Sequence, residues 1–208
     1  RQGHQAIFLA VGAQKGNELG VPGEDLRGVV SAVDFLQRVA MGEEVAVGQR
    51  VLVIGGGFTA VDAARTARRL GGKEVCIVYR RSRAEMPAHQ AEVAEAEEEG
   101  VALQLLSAPV RVVGEDGRAL GMECVRMVLG EPDARGRRRP VPVPGSAFLV
   151  PADTIIAAIG QKPDLEFLEN ERDRLEIATE TMEVIAVHPL TQRTHVGMVF
   201  AGGDAVSG

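Results

Sequence analysis

Residues 51–65 read Val-Leu-Val-Ile-Gly-Gly-Gly-Phe-Thr-Ala-Val-Asp-Ala-Ala-Arg, and this stretch decides the fold. Four consecutive apolar residues, three of them β-branched, predict a strand that is buried on both faces. The glycines let the backbone turn sharply, and apolar positions at 60, 61, 64, 67 and 70 predict a helix with one narrow apolar face. A second apolar run over Glu74–Tyr79 completes a strand, a helix and a strand within about 30 residues.

The glycine turn matches the pattern of a dinucleotide-binding unit. Gly55, Gly57 and Ala60 occupy the positions of G-x-G-x-x-G/A. The first makes the tight turn, the second admits a pyrophosphate to the backbone, and the third keeps the helix close to the strand. Free N–H groups and the helix dipole favour a diphosphate at the start of this helix. We therefore predict an α/β, Rossmann-like domain of three layers.

The end of the second strand indicates which dinucleotide binds. It reads Arg80-Arg81-Ser82-Arg83, with no acidic residue before Glu85. An NAD-binding unit places Asp or Glu there for the ribose, whereas a 2′-phosphate requires cations. We predict NADP(H), with Arg80 and Arg81 as a clamp and Ser82 adding a hydroxyl hydrogen bond. The alternative is a solvated strand end; His89 nearby either contacts the adenosine phosphates or is an exposed helix residue.

The composition is that of a globular protein without a polyanion-binding surface. The chain has 208 residues, 45% of them hydrophobic, and a formal net charge of −6, which disfavours nucleic-acid or anionic-membrane partners. We recognise neither an apolar run long enough to span a bilayer nor a secretory leader. Cys76 and Cys124 form no C-x-x-C pair, so we predict core-filling cysteines, a cytoplasmic location, and neither metal nor iron–sulfur ligands in this chain.

Other segments predict the elements around this unit. Ser31 is a plausible N-cap for a helix over 32–41, and a second helix is expected over 88–99 with a solvated acidic face at 95–99. Strands at 101–106, 110–113 and 120–129, with a hairpin turn at 114–117, predict an added antiparallel β-meander. Further strands are expected at 5–11, 148–150, 154–159 and 184–187.

A basic cluster, Arg135-Gly136-Arg137-Arg138-Arg139, lies in a Pro- and Gly-rich stretch at 131–145. We predict a loop there, separate from the cofactor site. No aromatic residue is interleaved for base stacking, so a mobile hairpin tip or a dock for an acidic partner protein fits better than nucleic-acid binding.

The sequence as a whole resembles a known family. An apolar strand runs into a single glycine on each side of the unit, at Phe8–Gly12 and Ala157–Gly160, and the chain closes on Gly203-Asp204. With the glycine turn and the Tyr79–Ala88 segment, this pattern resembles the small (β) subunit of NADPH-dependent glutamate synthase. That subunit belongs to the pyridine nucleotide oxidoreductases, flavoproteins in which an NADPH domain is inserted within an FAD domain. The resemblance extends from about residue 6 to 208.

The resemblance implies roles for individual residues. Gly55, Gly57, Phe58 and Thr59 would lie along the NADPH diphosphate, and Arg80 and Arg81 would hold the 2′-phosphate. Gly160 and Gln161 would lie near the nicotinamide, while Gly203 and Asp204 would form the Gly-Asp motif that contacts FAD. The implied reaction passes hydride from NADPH to FAD, and electrons then pass singly to iron–sulfur clusters and on to a partner subunit, so no catalytic acid or nucleophile is expected in this chain.

The resemblance also implies a domain division. Residues 1–27 would form a junction with the FAD domain, 28–163 the NADP(H)-binding domain, and 164–208 a returning, truncated segment of the FAD domain. Phe58 and Gly203 depart from the Asn and Ala that the family commonly has there. Neither the glycine-rich start of the FAD domain nor the upstream iron–sulfur cysteines are found. We therefore expect an excised middle segment or a truncated gene product that binds NADPH without turnover and holds FAD poorly, if at all.

Three other readings remain open from sequence. A stand-alone NADPH sensor would bind the nucleotide but transfer no electrons. An interaction scaffold would have lost its cofactor, and tight NADPH binding would exclude it. A thioredoxin-reductase-like enzyme would share the architecture, but it is disfavoured because the chain has no C-x-x-C pair.

Overall fold

The structure, a computed structural model, describes residues 3–132, 136–171, 175, 177–178 and 184–207. It divides into two compact units, one of residues 16–159 and a smaller one of residues 1–15 with 160–208. The described helices are α1 (Ala32–Ala40), α2 (Phe58–Arg69), α3 (Gln90–Glu98) and the short α4 (Asp204–Ser207). The described strands are β1 (Ile7–Leu9), β2 (Lys15–Gly16), β3 (Val29–Ser31), β4 (Arg50–Ile54), β5 (Glu74–Val78), β6 (Val101–Gln104), β7 (Ser107–Glu115), β8 (Arg118–Pro132), β9 (Arg138–Pro142), β10 (Phe148–Pro151), β11 (Thr154–Ala157), β12 (Gln161–Lys162), β13 (Ile177–Ala178), β14 (Val184–Ile185) and β15 (Val199–Ala201).

A parallel sheet forms the centre of the larger unit. Its five strands are ordered β3-β11-β4-β5-β6, and every neighbouring pair is parallel. The predicted strand–helix–strand unit is β4–α2–β5, and α3 leads on to β6. The α/β fold predicted from residues 51–79 is therefore confirmed.

The two faces of β4 bury different layers because successive side chains of a strand point to opposite sides. Val51 and Val53 belong to a core shared with the three helices of this unit, which includes Phe35 of α1 and Val93 of α3. Leu52 and Ile54 belong to a second core that contains Met122 and Cys124. All four β4 side chains are buried, as the uninterrupted apolar run predicted.

An antiparallel sheet forms the third layer. Its order is β10-β8-β7, and β9 pairs with the distal half of β8. The turn between β7 and β8 is two residues long, Asp116 and Gly117, and both have positive φ. Asp-Gly suits such a turn because both residues tolerate the left-handed region, so the hairpin signal in the sequence was correct.

Two strands of the larger unit were absent from the sequence-based prediction. β3 has only three residues, too few for a periodic signal, and the sequence predicts a role for only the last of them, Ser31, as a helix cap. Ser31 does cap α1, since its Oγ accepts the Val33 N–H at 3.2 Å. The loop predicted at 131–145 was wrong because β8 continues to Pro132 and β9 pairs with it; Pro140 and Pro142 are tolerated on a strand with only one paired neighbour.

The smaller unit has its own apolar core. β1 pairs in parallel with β15, β13 pairs antiparallel with β14, and Leu165, Ile185 and Ala201 are fully or almost fully buried. Lys15 Nζ lies 2.6 Å from a Glu166 carboxylate oxygen and 3.3 Å from one of Asp164. The finer division at residues 27 and 163 stays a prediction.

Across the part of the chain that the structure describes, no helix combines the length and the apolar character needed to cross a membrane.

Candidate dinucleotide site

The candidate site lies at the carboxyl edge of the parallel sheet. β4 and β11 are neighbours at the position where the strand order reverses, because the strands after β4 are added on its other side. The Ala158 N–H donates to the Ile54 carbonyl at 2.8 Å and extends this pairing beyond β11. Open α/β sheets bind ligands outside the carboxyl ends of their strands at such a reversal.

The glycine turn begins at Gly55, whose φ is +150°. A Cβ at this position would lie 2.2 Å from the Ala158 carbonyl oxygen, so the turn passes too close to the neighbouring strand for any side chain. The Gly55 N–H donates to the Val78 carbonyl at 3.0 Å, which ties the turn to β5 as well. Ala60 is fully buried and packs α2 against the sheet, as the third motif position requires.

Gly57 is the open position of the turn. A Cβ there would meet nothing within 4 Å. Gly57 is the N-cap of α2, and no side chain caps this helix. Phe58 is exposed and Thr59 is half-buried on the first turn of the helix. The backbone of the turn is therefore accessible from solvent at the end of α2 that carries the positive half of the helix dipole.

The segment after the second strand packs back on this turn. The Tyr79 ring covers Gly56, where a Cβ would lie 2.5 Å from a ring carbon, and the Tyr79 hydroxyl donates to the Glu85 carbonyl at 2.8 Å. The Ala88 N–H donates to the Gly56 carbonyl at 3.2 Å. His89 is the N-cap of α3, and its ring lies edge-on to Phe58 at 5.0 Å, so this histidine is beside the start of α2.

The arginine tip, Arg80 and Arg81, leaves the sheet beside the glycine turn because Ile54 of β4 is in register with Val78 of β5. Arg80 is exposed, and it makes no hydrogen bond or ion pair with any residue the structure describes. Arg81 is only 8% exposed, and its Nε donates to the Arg138 carbonyl at 2.9 Å. Within the described residues, Glu99 Oε2 is the one buried side-chain polar atom that lacks a partner. The two terminal nitrogens of Arg81 therefore reach solvent.

The other two residues of this strand end are occupied within the chain. The Ser82 hydroxyl and its N–H both donate to the Glu85 carboxylate in a capping box. Arg83 Nη1 lies 2.5 Å from Glu97 Oε2, and its Nε donates to Gln90. Because the Ser82 proton is directed at Glu85, the hydroxyl hydrogen bond predicted for the phosphate has a competing acceptor.

The structure corrects the placement of the basic cluster. Arg138 and Arg139 lie in β9, and the Arg138 carbonyl accepts from Arg81, so the cluster is beside the arginine tip rather than apart from it. Arg135 lies outside the described residues. The alternation Arg-Pro-Val-Pro was the available signal for a strand here, but two prolines made it read as a loop.

The remaining predicted site residues lie in the smaller unit. Gly160 is exposed with φ +116°, and Gln161 follows it in β12. Gly203 has φ +68°, and Asp204 is exposed at the start of α4. Their roles toward a nicotinamide or a flavin stay predictions.

A second group of arginines joins α2 to α3. Arg65 Nη2 and Arg69 Nη2 lie 2.6 and 2.7 Å from the same oxygen of Glu99, and Arg65 Nη1 lies 3.0 Å from Glu95 Oε2. Hydrogen bonds from Arg65 and then Arg69 lower the pKa of the Glu99 carboxyl to about 2. The acidic face predicted to be only solvated is thus also ion-paired, and these groups hold two helices together.

Both cysteines are free thiols in the sheets. Cys124 is buried in the second core, and desolvation by its apolar surroundings raises its pKa to about 12. Cys76 is half-buried, and desolvation raises its pKa also. Among the described residues, no group of three or more His, Cys, Asp or Glu could hold a metal ion.

Proteins of known sequence and structure resemble the chain over its full length. It is 48% identical over 208 residues to the NADP(+)-dependent formate dehydrogenase subunit beta of Moorella thermoacetica, covering 99% of this chain and 29% of that protein. It is 40% identical over 220 residues to the glutamate synthase [NADPH] small chain of Azospirillum brasilense, covering 100% and 45%. The resemblance to glutamate synthase small subunits is thus confirmed, and the chain spans less than half the length of these two relatives.

Solved structures show the same fold at low sequence identity. Mycobacterium tuberculosis FprA in complex with NADPH has a TM-score of 0.73 at 18% identity, over 98% of this chain and 58% of that one. T. acidophilum thioredoxin reductase has a TM-score of 0.68 at 21% identity, over 98% and 58%. The family model described as pyridine nucleotide-disulphide oxidoreductase matches residues 2–208. With this match and the open glycine turn at the sheet edge, the chain belongs to the pyridine nucleotide-disulphide oxidoreductase family.

Proposed function

We propose that this chain is the NADPH-binding part of an NADPH-dependent flavin oxidoreductase. One observation carries the proposal. The open glycine turn and two arginines that have no acidic partner among the described residues follow neighbouring strands, side by side at the carboxyl edge of the sheet. A dinucleotide with an extra phosphate presents a diphosphate and a 2′-phosphate, and these two features supply a partner for each.

The geometry of each group supports the role proposed for it. The accessible backbone at Gly57, Phe58 and Thr59 suits the diphosphate, because helix N-termini favour anions and no side chain blocks the approach. Gly55 and Ala60 shape the turn. Arg80 and the terminal nitrogens of Arg81 suit the 2′-phosphate, since guanidinium groups bind phosphate oxygens in pairs. Ser82 contributes less because its hydroxyl already bonds Glu85.

The flavin and partner parts of the proposal rest on similarity. NADPH supplies a hydride, and a bound flavin accepts it and passes electrons on singly. Relatives named as a beta subunit and a small chain support a place in a larger assembly with an iron–sulfur or glutamate-synthase-type partner. Gly160, Gln161, Gly203 and Asp204 are proposed to serve the nicotinamide and flavin ends. Free, unreactive thiols are compatible with the proposed cytoplasmic location.

The test is a titration of the full 208-residue chain with NADPH and with NADH. We expect tighter binding of NADPH, and Gly57→Val should weaken both nucleotides roughly tenfold or more because its side chain fills the diphosphate position. The added Cβ meets no neighbour, so circular dichroism and thermal unfolding should remain those of a folded protein.

Thr66→Val is the matched control, since Thr66 lies on α2 away from the turn. Equal affinity for the two nucleotides, or unchanged binding by Gly57→Val, would refute the proposal. An interaction module without a nucleotide site predicts no binding of either nucleotide.

A further inference from the structure

The β8–β9 hairpin is attached directly to the arginine tip. Arg81 Nε donates to the Arg138 carbonyl at 2.9 Å, and that carbonyl shares a peptide plane with the Arg139 nitrogen. The Arg81 carbonyl in turn accepts the Leu106 N–H at 3.1 Å, and the Leu106 carbonyl accepts the Met127 N–H of β8 at 2.7 Å. The backbone carrying Arg139 is therefore fixed within one side-chain length of Arg81.

The Arg138 side chain stabilises the hairpin by bonding to the backbone of the neighbouring strand. Its Nη2 donates to the Leu129 carbonyl at 2.8 Å, and its Nε lies 3.4 Å from the Gly130 carbonyl, both on β8. Arg138 thus holds β9 on β8 with its side chain while its carbonyl accepts from Arg81. The guanidinium of the next residue, Arg139, makes no such contact with the described part of the hairpin.

Arg80, Arg81 and Arg139 share an unusual electrostatic state. Arg80 and Arg139 are exposed, and none of the three forms an ion pair with a described residue. Elsewhere in this chain of net charge −6, arginines such as Arg65, Arg69, Arg83 and Arg111 lie within 3.0 Å of a carboxylate. Adjacent cations without a counter-charge repel one another, and a bound polyanion would remove that cost.

We propose that Arg139 is a third cation of the 2′-phosphate site and that Arg81 positions it through the Arg138 carbonyl. This inference rests on the proposed NADPH function. A phosphate offers three oxygens, and guanidinium groups arriving from β5 and from β9 approach it from two different segments. Arg81 then has two roles: its Nε anchors the hairpin, and its terminal nitrogens face the ligand.

The first experiment measures Arg139 directly. Isothermal titration of the full chain with NADP⁺ and with NAD⁺ should show that Arg139→Gln weakens NADP⁺ roughly five- to twentyfold and leaves NAD⁺ unchanged. Arg118→Gln is the matched control because Arg118 is exposed like Arg139 but lies at the start of β8, at the end that does not pair with β9, and it should change neither affinity. Raising the salt concentration should reduce the difference in NADP⁺ affinity between wild type and Arg139→Gln, because salt screens interactions between exposed charges.

The second experiment separates positioning from simple support. Arg81→Lys keeps a positive charge but removes the Nε donor that holds β9. In that background Arg139→Gln should weaken NADP⁺ less than about twofold, whereas in the Arg80→Gln background it should keep its full effect. A general loss of stability would weaken NADP⁺ and NAD⁺ binding alike. The NAD⁺ affinity of each variant is therefore the internal reference against which its loss of NADP⁺ affinity is measured.

The outcomes distinguish this inference from the function beneath it. If wild type prefers NADP⁺ and Arg80→Gln lowers that preference, but Arg139→Gln has no effect, Arg139 is not part of the site. If Arg139→Gln costs as much in the Arg81→Lys background as in wild type, the positioning role of Arg81 is wrong. If wild type shows no preference for NADP⁺, the proposed function itself fails.

Discussion

Two groups of arginines in this protein lie near the same helix, α2, and they differ in what faces them. The helix arginines, Arg65 and Arg69, share one oxygen of Glu99 and join α2 to α3. The arginine tip, Arg80 and Arg81, meets a backbone carbonyl and solvent but none of the carboxylates that the structure describes. The comparison teaches that an arginine-rich sequence does not identify a phosphate site until its internal partners are known.

The largest expected effect comes from the arginine tip. Arg80→Gln should raise the Kd for NADPH roughly ten- to hundredfold, because a charge-assisted contact to the 2′-phosphate is lost and no internal partner compensates. The Kd for NADH should stay the same, since NADH lacks that phosphate. Fluorescence titration with both nucleotides measures the ratio.

Arg69→Gln is the matched change among the helix arginines. Like Arg80, Arg69 is exposed to solvent, but unlike Arg80 it is paired with a carboxylate, that of Glu99. NADPH affinity should be unaffected. A comparable loss of NADPH affinity in Arg69→Gln and Arg80→Gln would erase the distinction between the two groups.

The next effect is on stability rather than on binding. Glu99→Gln removes the carboxylate that accepts from both helix arginines, so thermal unfolding should begin at a temperature lower by a few degrees. Differential scanning calorimetry measures this shift. The nucleotide affinities of Glu99→Gln should equal those of wild type, whereas Arg80→Gln should bind NADPH more weakly than wild type does.

The pH dependence of unfolding provides a third test. The pKa of Glu99 is about 2 in the folded protein against an ordinary value of 4.5, because Arg65 and Arg69 stabilise the ionised form. The stabilisation is fully present above about pH 4.5 and is lost as the pH falls toward 2. Urea unfolding measured between pH 2 and 6 should show that the free energy of unfolding falls more steeply with decreasing pH for wild type than for Glu99→Gln. Identical slopes would mean that the ion pairs do not form in solution.

The smallest expected effect sharpens the comparison at the strand end itself. Arg83 lies only three residues from Arg80, but it is paired with Glu97 at 2.5 Å. Because the Arg83 guanidinium is already paired, Arg83→Gln should change the Kd for NADPH less than about twofold. An exposed ion pair of this kind also contributes little net energy to the fold. A tenfold change would show that proximity in sequence, and not pairing, decides which arginine binds phosphate.

The central unit was predictable because several local signals agree there. The apolar run 51–54, the glycine turn and the apolar face of α2 each specify the same strand–turn–helix, and the structure confirms all three. The strands β3 and β9 escaped prediction for physical reasons. One is too short for periodicity, and the other contains prolines that a strand accepts only when one edge is unpaired.

The site was predictable only in part for a related reason. Motif spacing identified Gly55, Gly57, Arg80 and Arg81, whose roles stay proposals. It could not show that Ser82 bonds Glu85 or that Arg81 bonds Arg138, because those contacts depend on packing between separate segments. Arg81 and Arg138 are 57 positions apart in the sequence and meet only in the folded chain.

The hydrogen bond from the Ala88 amide to the Gly56 carbonyl has a mechanical consequence. It fastens the segment after the arginine tip to the glycine turn, with the Tyr79 ring packed against Gly56. Neither segment can swing outward while the other stays in place, so local opening must release both together. The diphosphate and the 2′-phosphate of a dinucleotide bound as proposed would thus meet a surface that opens as one cooperative unit and exchanges its amide protons together.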